Sequence, residues 1–323
     1  MPDSSNYSAE PPIDPTPTEQ PVPGGQPVPT GQPVPGGTAY DATEPGGAAS
    51  GGPSTGTGPA GTVLVTGATS GIGLAVSRLF VDRGVRVLGT SRNPDDIPAP
   101  DRIPGVTYLA LDQSDPASVR ACAKAAGPVD VLVNNAGHSQ GGALEDLPEE
   151  QLEQLFRINV LGPVGLARAV LPAMRAAGHG RLIFVGSLMA EFPVPFQGSY
   201  AASKLALRGF VTALRTEVAP FGIQATLVQP AYYRSAIDRH RAWHTTPDSP
   251  YRDRVGVVSA RVRAQHQSAA DPAEVAERIW RLSRAARLPV VSMIGGNGAT
   301  LRLVRRFLPD RVAERLVARR YGL

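Results

Sequence analysis

Within SYAASKLALRGFV (residues 199–211), Tyr200 and Lys204 stand four residues apart in an otherwise largely apolar segment. At helical spacing they share one face. A phenol titrates near ~10, about three units above neutrality, so deprotonating it at pH 7 costs about 4 kcal/mol. A positive charge one turn away stabilises the phenolate and lowers that cost. The pair reads as an acid/base group with its own electrostatic support. Lysine is also an uncommon choice here, because the chain has 30 Arg and only two Lys, Lys124 and Lys204. A compact ammonium with three rotatable donors does what a planar guanidinium fork cannot. Ser187 closes the apolar run RLIFVGS thirteen residues before Tyr200, at the kind of strand end where open α/β sheets place ligands.

A different chemistry is written into TGATSGIG (66–73). Gly67, Gly71 and Gly73 let the backbone turn tightly and approach a pyrophosphate, which then meets the N-terminus of the following helix. Ser70 and Ile72 complete the candidate phosphate contacts. The spacing is G-x3-G-x-G, and a strand before it with a helix after it supplies the context such a loop needs. Farther on, VLGTSRN (87–93) ends its strand with Ser91 and Arg92, where a domain selecting the unphosphorylated dinucleotide carries an acid for the ribose 2′-hydroxyl. A guanidinium grips a 2′-phosphate bidentately and a serine hydroxyl adds a bond, so Ser91 and Arg92 favour a phosphorylated ribose.

The elements that must position these groups alternate. Short β-branched runs at 62–66, 86–90, 106–111, 130–137, 181–187, 224–230 and 289–294 are separated by helical stretches at 71–83, 115–126, 149–177, 199–219 and 272–285. Continuous apolar strands joined by helical crossovers predict a parallel sheet covered on both faces. The expected fold is α/β, a doubly wound Rossmann domain with a seven-stranded parallel sheet over residues 61–295. Gly127-Pro128 and Gly178 stop helices within this pattern.

Residues 1–60 differ in kind. They hold 14 Pro and 11 Gly, six acids and no Lys or Arg, with QPVPGG, QPVPTG and QPVPGG in succession. That composition buries too little apolar surface to offset its ordering entropy, so a disordered tail is expected, either solubilising or a PxxP-type ligand. Without it the body carries 32 basic against 22 acidic residues, about +10. Such a balance suits an anionic cofactor or a membrane surface; no nucleic-acid motif accompanies it, and nucleic acid is not an expected partner. A single cysteine, Cys122, excludes an internal disulfide and fits a reducing compartment. The opening residues lack the basic and apolar regions of a secretory signal, and no apolar run approaches the ~20 residues of a bilayer span; a cytoplasmic location is expected. Cys122 reads as a small packing residue on a surface helix. His240 and His244, at i, i+4, have no acidic or Cys partner at ligand spacing, so no metal is expected.

TGATSGIG, NNAG (134–137), GS (186–187) and YAASK (200–204), in that order and spacing, resemble the short-chain dehydrogenase/reductase family across residues 61–295. The resemblance implies NAD(H) or NADP(H) and metal-free interconversion of alcohols and carbonyls. It implies that Ser187 holds the substrate oxygen, that Tyr200 is the acid/base and that Lys204 also holds the nicotinamide ribose. Asn159, in FRINVLGPV, matches the family's fourth catalytic residue, which kinks its helix and anchors a proton-relaying water; asparagine is otherwise a poor helix former. Asn134, Ala136 and Gly137 would support the sheet and bring backbone near the cofactor. Asp112 matches the acid that contacts the adenine amino group, or else competes with Asp115 to cap the next helix. Pro230 is followed by Ala231 where the family has glycine, and Ser235 stands at the place of a threonine that contacts the carboxamide.

Residues 231–270 form the variable segment that covers the substrate in such proteins. Tyr232, Tyr233, Trp243 and Tyr251 make it suited to a bulky, lipophilic alcohol or carbonyl compound. The C-terminal segment 296–323, with seven Arg against two acids from residue 301, is expected to be an amphipathic helical extension. It resembles the tails of steroid- and retinol-type members, and either packs on the domain, closes the substrate side or touches an anionic membrane. An NADP(H)-dependent oxidoreductase is the expected function and a homo-oligomer is compatible with it. The competing readings are an NAD(H)-preferring dehydrogenase, a noncatalytic dinucleotide-binding regulator and a peripheral lipid-binding protein.

Overall fold

The computed structural model describes residues 61–235, 237, 241–296, 307 and 309–323. The Pro/Gly-rich segment 1–60, His240 and most of 296–308 lie outside the described residues.

Seven strands form one parallel sheet: β1 (Thr62–Val65), β2 (Arg86–Ser91), β3 (Val106–Ala110), β4 (Val131–Asn134), β6 (Gly180–Val185), β7 (Ile223–Pro230) and β9 (Val291–Ile294). Their order is β3-β2-β1-β4-β6-β7-β9. Alternate residues of a strand face opposite sides, and here both sides are apolar. Leu64, Leu132, Leu182, Phe184 and Leu227 face α2 (Pro116–Ala126), α4 (Gly162–Ala177) and α5 (Gly198–Val218). Val63, Val65, Val131, Val133, Ile183 and Val185 face α1 (Gly71–Asp82) and α7 (Ala273–Arg284). On that second side Phe80 of α1 meets Trp280 of α7 edge-on at 5.1 Å. The sheet is thus double-covered, as its unbroken apolar runs require.

Several boundaries differ from the sequence pattern, each for a local reason. β4 ends at Asn134 rather than Gly137, because the next residues leave the sheet to brace the loop after β1. β6 ends at Val185, and Ser187 opens a short 3-10 turn (Leu188–Ala190) whose Met189 amide its hydroxyl caps at 3.2 Å. The helix expected over 149–177 is interrupted: α3 (Glu149–Phe156) passes through a π-helical turn (Arg157–Leu161) into α4. Pro163 has no amide hydrogen to donate to the carbonyl of Asn159 four residues earlier, and the ladder widens at that point. This run does have the length and hydropathy of a bilayer span, but Leu155, Leu166, Val170 and Met174 are buried in the core. Cys122 on α2 packs into the core, 2% exposed, as a small packing residue would. A small ladder absent from the sequence reading pairs β5 (Gln140–Gly142) with β8 (Ala242–His244) in parallel. Gly141 permits it, since a Cβ there would lie 2.5 Å from the Trp243 ring. Two further α-helices are α6 (Arg252–Gln267) and α8 (Asp310–Arg320).

Candidate active site

The loop after β1 is built by glycine and threonine together. Gly67 and Gly71 adopt φ of +67° and +52°, a region that L side chains rarely enter. Gly73 is required by contact: a Cβ there would stand 2.0 Å from the Gly67 carbonyl oxygen. Ser70 caps α1 with extended backbone and no side-chain bond, so the first-turn amides face the cleft at the positive end of the helix dipole. Thr66 Oγ1 accepts from the amides of Asn135 and Ala136, both at 2.9 Å, and Asn135 Nδ2 donates to the Thr66 carbonyl at 2.9 Å. Asn135, missed in the sequence, therefore braces the loop. Asn134 is buried behind it, its Nδ2 donating to the Pro163 carbonyl at 3.4 Å.

At one end of the cleft, Ser91 ends β2 and Arg92 follows it, and both line the cleft with Asp112, which follows β3. Asp112 does not cap α2; Asp115 does, accepting from the amides of Ala117 and Ser118. Asp112 Oδ1 instead accepts from the amide and hydroxyl of Ser114, at 2.8 and 2.6 Å. These bonds, with the Arg92 charge nearby, hold its carboxyl below the usual range despite partial burial.

At the other end lie Tyr200 and Lys204, both buried, on the face of α5 that looks across β6. Lys204 Nζ donates to the Val185 carbonyl at 3.0 Å and stands 5.8 Å from the centre of the Tyr200 ring. Burial pulls its pKa from 10.5 to about 8. Asn159, fully buried in the π turn, joins three elements. Its Oδ1 accepts from the His138 amide at 2.8 Å, and its Nδ2 donates to the His138 carbonyl at 2.8 Å and to Ser203 Oγ at 3.0 Å. It thereby ties the turn after β4 to α5, one residue from Lys204. Gly137 fits between them, since a Cβ there would lie 3.1 Å from Asn159 Oδ1 and 3.4 Å from Lys204 Nζ.

One cleft of about 1050 Å³ joins the two ends. Gly67, Ser70, Gly71, Ile72, Ser91, Arg92, Asp112, Ala136, Gly137, Ser187, Tyr200, Lys204, Pro230 and Ser235 all line it, whereas Gly73, Asn134 and Asn159 stand behind it. Ser235 closes over the phosphate loop, its Cα 3.0 Å from where a Gly71 Cβ would be. Of the four lid aromatics, Tyr232 and Tyr233 line the cleft, while Tyr251 meets Phe196 at 6.2 Å and Trp243 covers Gly141. His244 belongs to β8, and no cluster of three metal-ligating side chains occurs among the described residues.

A Rossmann sheet with a glycine-built phosphate loop and a serine, tyrosine and lysine along one cleft defines a dinucleotide-dependent oxidoreductase. The cradle fits the dinucleotide where it is most exacting, at Gly67, Gly71 and Gly73, whose backbone closeness leaves no room for side chains. The comparisons with known proteins agree. The family model for short chain dehydrogenases matches residues 61–244. The uncharacterized oxidoreductase YusZ of Bacillus subtilis is 33% identical over 264 residues, 76% of this chain and 92% of that one. A 3-ketodihydrosphingosine reductase of Bacteroides thetaiotaomicron is 38% identical over 183 residues, 55% of this chain and 66% of that one. The crystal structure of a short-chain dehydrogenase from Streptomyces avermitilis superposes with a TM-score of 0.66 at 33% identity, over 77% of this chain and 96% of that one. The chain belongs to the short-chain dehydrogenase/reductase family and is an NAD(P)-dependent enzyme.

Proposed function

We propose that the enzyme interconverts an alcohol and a ketone or aldehyde on a bulky, lipophilic substrate, prefers NADP(H), and uses Tyr200 as its acid/base. The supporting observation is that a single cleft runs from Arg92 to the buried Tyr200 and Lys204, with Ser187 beside them. Gly67, Gly71 and the first turn of α1 would hold the pyrophosphate, Asp112 the adenine, Arg92 and Ser91 a 2′-phosphate, and Lys204 the nicotinamide ribose. When bound, the nicotinamide supplies or accepts a hydride.

The remaining chemistry belongs to the chain. Ser187 Oγ accepts from the Met189 amide, which leaves its own hydrogen to donate to the substrate oxygen, where negative charge develops during reduction. The Tyr200 hydroxyl gives its proton to that oxygen, or takes it back when an alcohol is oxidised. Lys204, itself buried, favours the phenolate left behind. Asn159 positions both by tying His138 to Ser203. The substrate half is walled by Leu188, Met189, Phe192, Val194, Leu316 and Val317, which suits an apolar body. Carbonyl compounds are screened with NADPH and NADH in the parent and in Tyr200→Phe, following nicotinamide absorbance. Turnover in the parent, its loss by at least ~100-fold in Tyr200→Phe and retained dinucleotide affinity are expected. Substantial turnover in the variant refutes the acid/base assignment.

A further inference from the structure

We infer that the substrate half of this cleft recognises an anionic group carried on an apolar body, and that Arg320 and Arg241 are the residues that select it. Both line the cleft together with Tyr232, Leu316, Val317 and Tyr321. Arg241 is held by Nε donating to Ser139 Oγ at 2.9 Å and by Nη1 at 3.2 Å from His266 Nε2. The guanidinium of Arg320 makes no hydrogen bond or ion pair among the described residues. His266, the neighbour of Arg241, meets the Tyr232 ring edge-on at 5.9 Å, and Tyr321, next to Arg320, bonds the Tyr232 hydroxyl, so both arginines border the space around Tyr232.

The position of Arg320 is built. Its neighbour Tyr321 is 2% exposed, with its hydroxyl bonded to the hydroxyl of Tyr232 and, at 2.9 Å, to Gln265 Oε1. Arg261 Nη1 donates to the Arg320 carbonyl at 3.3 Å. The last turn of α8 is therefore pinned to α6 and to the segment after β7, and Arg320 rides on it at the cleft. Among the described residues the only carboxylate lining the cleft is Asp112, at the adenine end and already bonded to Ser114. Among the described residues the substrate half thus combines apolar walls with positive charge and carries no acid. A carboxylate or phosphate accepts paired hydrogen bonds from a guanidinium, whereas an ammonium would be repelled. A basic residue in the last turn of a helix also complements the dipole, which accounts for Arg319 as well as Arg320; only Arg320 lines the cleft.

The inference rests on the oxidoreductase function proposed above, so the experiment begins with binding, which needs no turnover. Dodecanoate, methyl dodecanoate and dodecylamine are titrated calorimetrically into the full chain, below their aggregation concentrations, at two ionic strengths. The parent should bind dodecanoate roughly five- to 20-fold more tightly than the ester, and the amine most weakly, with the acid preference falling as salt rises. Arg320→Gln and Arg241→Gln should each shrink the acid-to-ester ratio, the pair together should bring it near one, Arg320→Lys should restore part of it, and Arg319→Gln should leave it intact. Equal affinity for acid and ester in the parent, or an undiminished preference in the double variant, overturns the inference. Acid preference in binding, with no carbonyl turnover by the parent, would sustain it while refuting the proposed activity.

Discussion

Lys204 Nζ donates to the carbonyl of Val185, 3.0 Å away at the end of β6. A buried ammonium is thereby held against the strand that leads to Ser187. A neutral acceptor does not compensate for lost hydration, and burial brings the lysine from 10.5 to about 8. Below pH 8 the native and unfolded chains both carry this proton, and the full cost of burying the charge is present. Between about 8 and 10.5 only the unfolded chain retains it, so native stability rises with pH through that window. The difference in unfolding free energy between the parent and Lys204→Met should therefore move in the parent's favour by up to ~3 kcal/mol from pH 8 to 10.5. Urea unfolding at a series of pH values measures it, and a flat difference would show that the lysine keeps its ordinary affinity for protons.

Gly73 tests the phosphate cradle independently of catalysis. A Cβ placed 2.0 Å from the Gly67 carbonyl oxygen cannot be absorbed by rotating a side chain, because both partners are backbone. In Gly73→Ala the loop must open, and dinucleotide affinity should fall more than about tenfold, a loss of ~1.4 kcal/mol or more. Gly84→Ala is the control: an added Cβ there meets nothing within 4 Å, though φ of +75° makes it a mild strain. Calorimetric titration of both variants with NADPH checks the contrast. Equal affinities would place the pyrophosphate elsewhere.

The single thiol reports on packing. Cys122 is 2% exposed among Val119, Leu132 and Leu166 on the α2 side of the sheet, and burial raises its pKa to about 11. The nucleophile is the thiolate, so native protein at pH 8 should react with a disulfide reagent at least ~100-fold more slowly than protein in denaturant. Fast labelling of the native chain would mean that α2 opens readily or that the residue faces water.

The parallel sheet and the line of residues from Gly67 to Lys204 were legible because each depends on local chemistry. Apolar runs need two covered faces, and Tyr200 and Lys204 need only one helical turn. What escaped depends on distant partners. Asn135 and Thr66 are 69 positions apart in the chain yet brace one another, and nothing in NNAG distinguishes its first asparagine from its second. Tyr321 meets Tyr232 across 89 positions, so the placement of α8 on the cleft follows from a contact invisible to periodicity. The π turn lies between these cases. Pro163, four residues after Asn159, carried the signal, but a proline near a glycine reads first as a helix start.

The proposed preference for NADP(H) turns on Arg92. It follows β2 at the place where an acid would bind the ribose 2′-hydroxyl, is exposed, and makes no hydrogen bond or ion pair among the described residues. The nearby Asp112 is engaged by Ser114 and feels the Arg92 charge, with no closed salt bridge between the two among the described residues. A charge-assisted contact to a 2′-phosphate contributes ~1.5–3 kcal/mol, a preference of roughly ten- to 150-fold, and exposure to solvent moves the expectation toward the lower figure. The ratio of kcat/KM with NADPH to that with NADH should therefore exceed about ten in the parent and fall toward one in Arg92→Ala. The change should come mainly through KM for NADPH, because the lost contact is made equally before and during the reaction. Ser91→Asp should reverse the preference by repelling the phosphate while offering an acceptor to the free hydroxyl. Equal efficiency with both cofactors in the parent, or undiminished discrimination in Arg92→Ala, would show that the 2′ position is read by other residues.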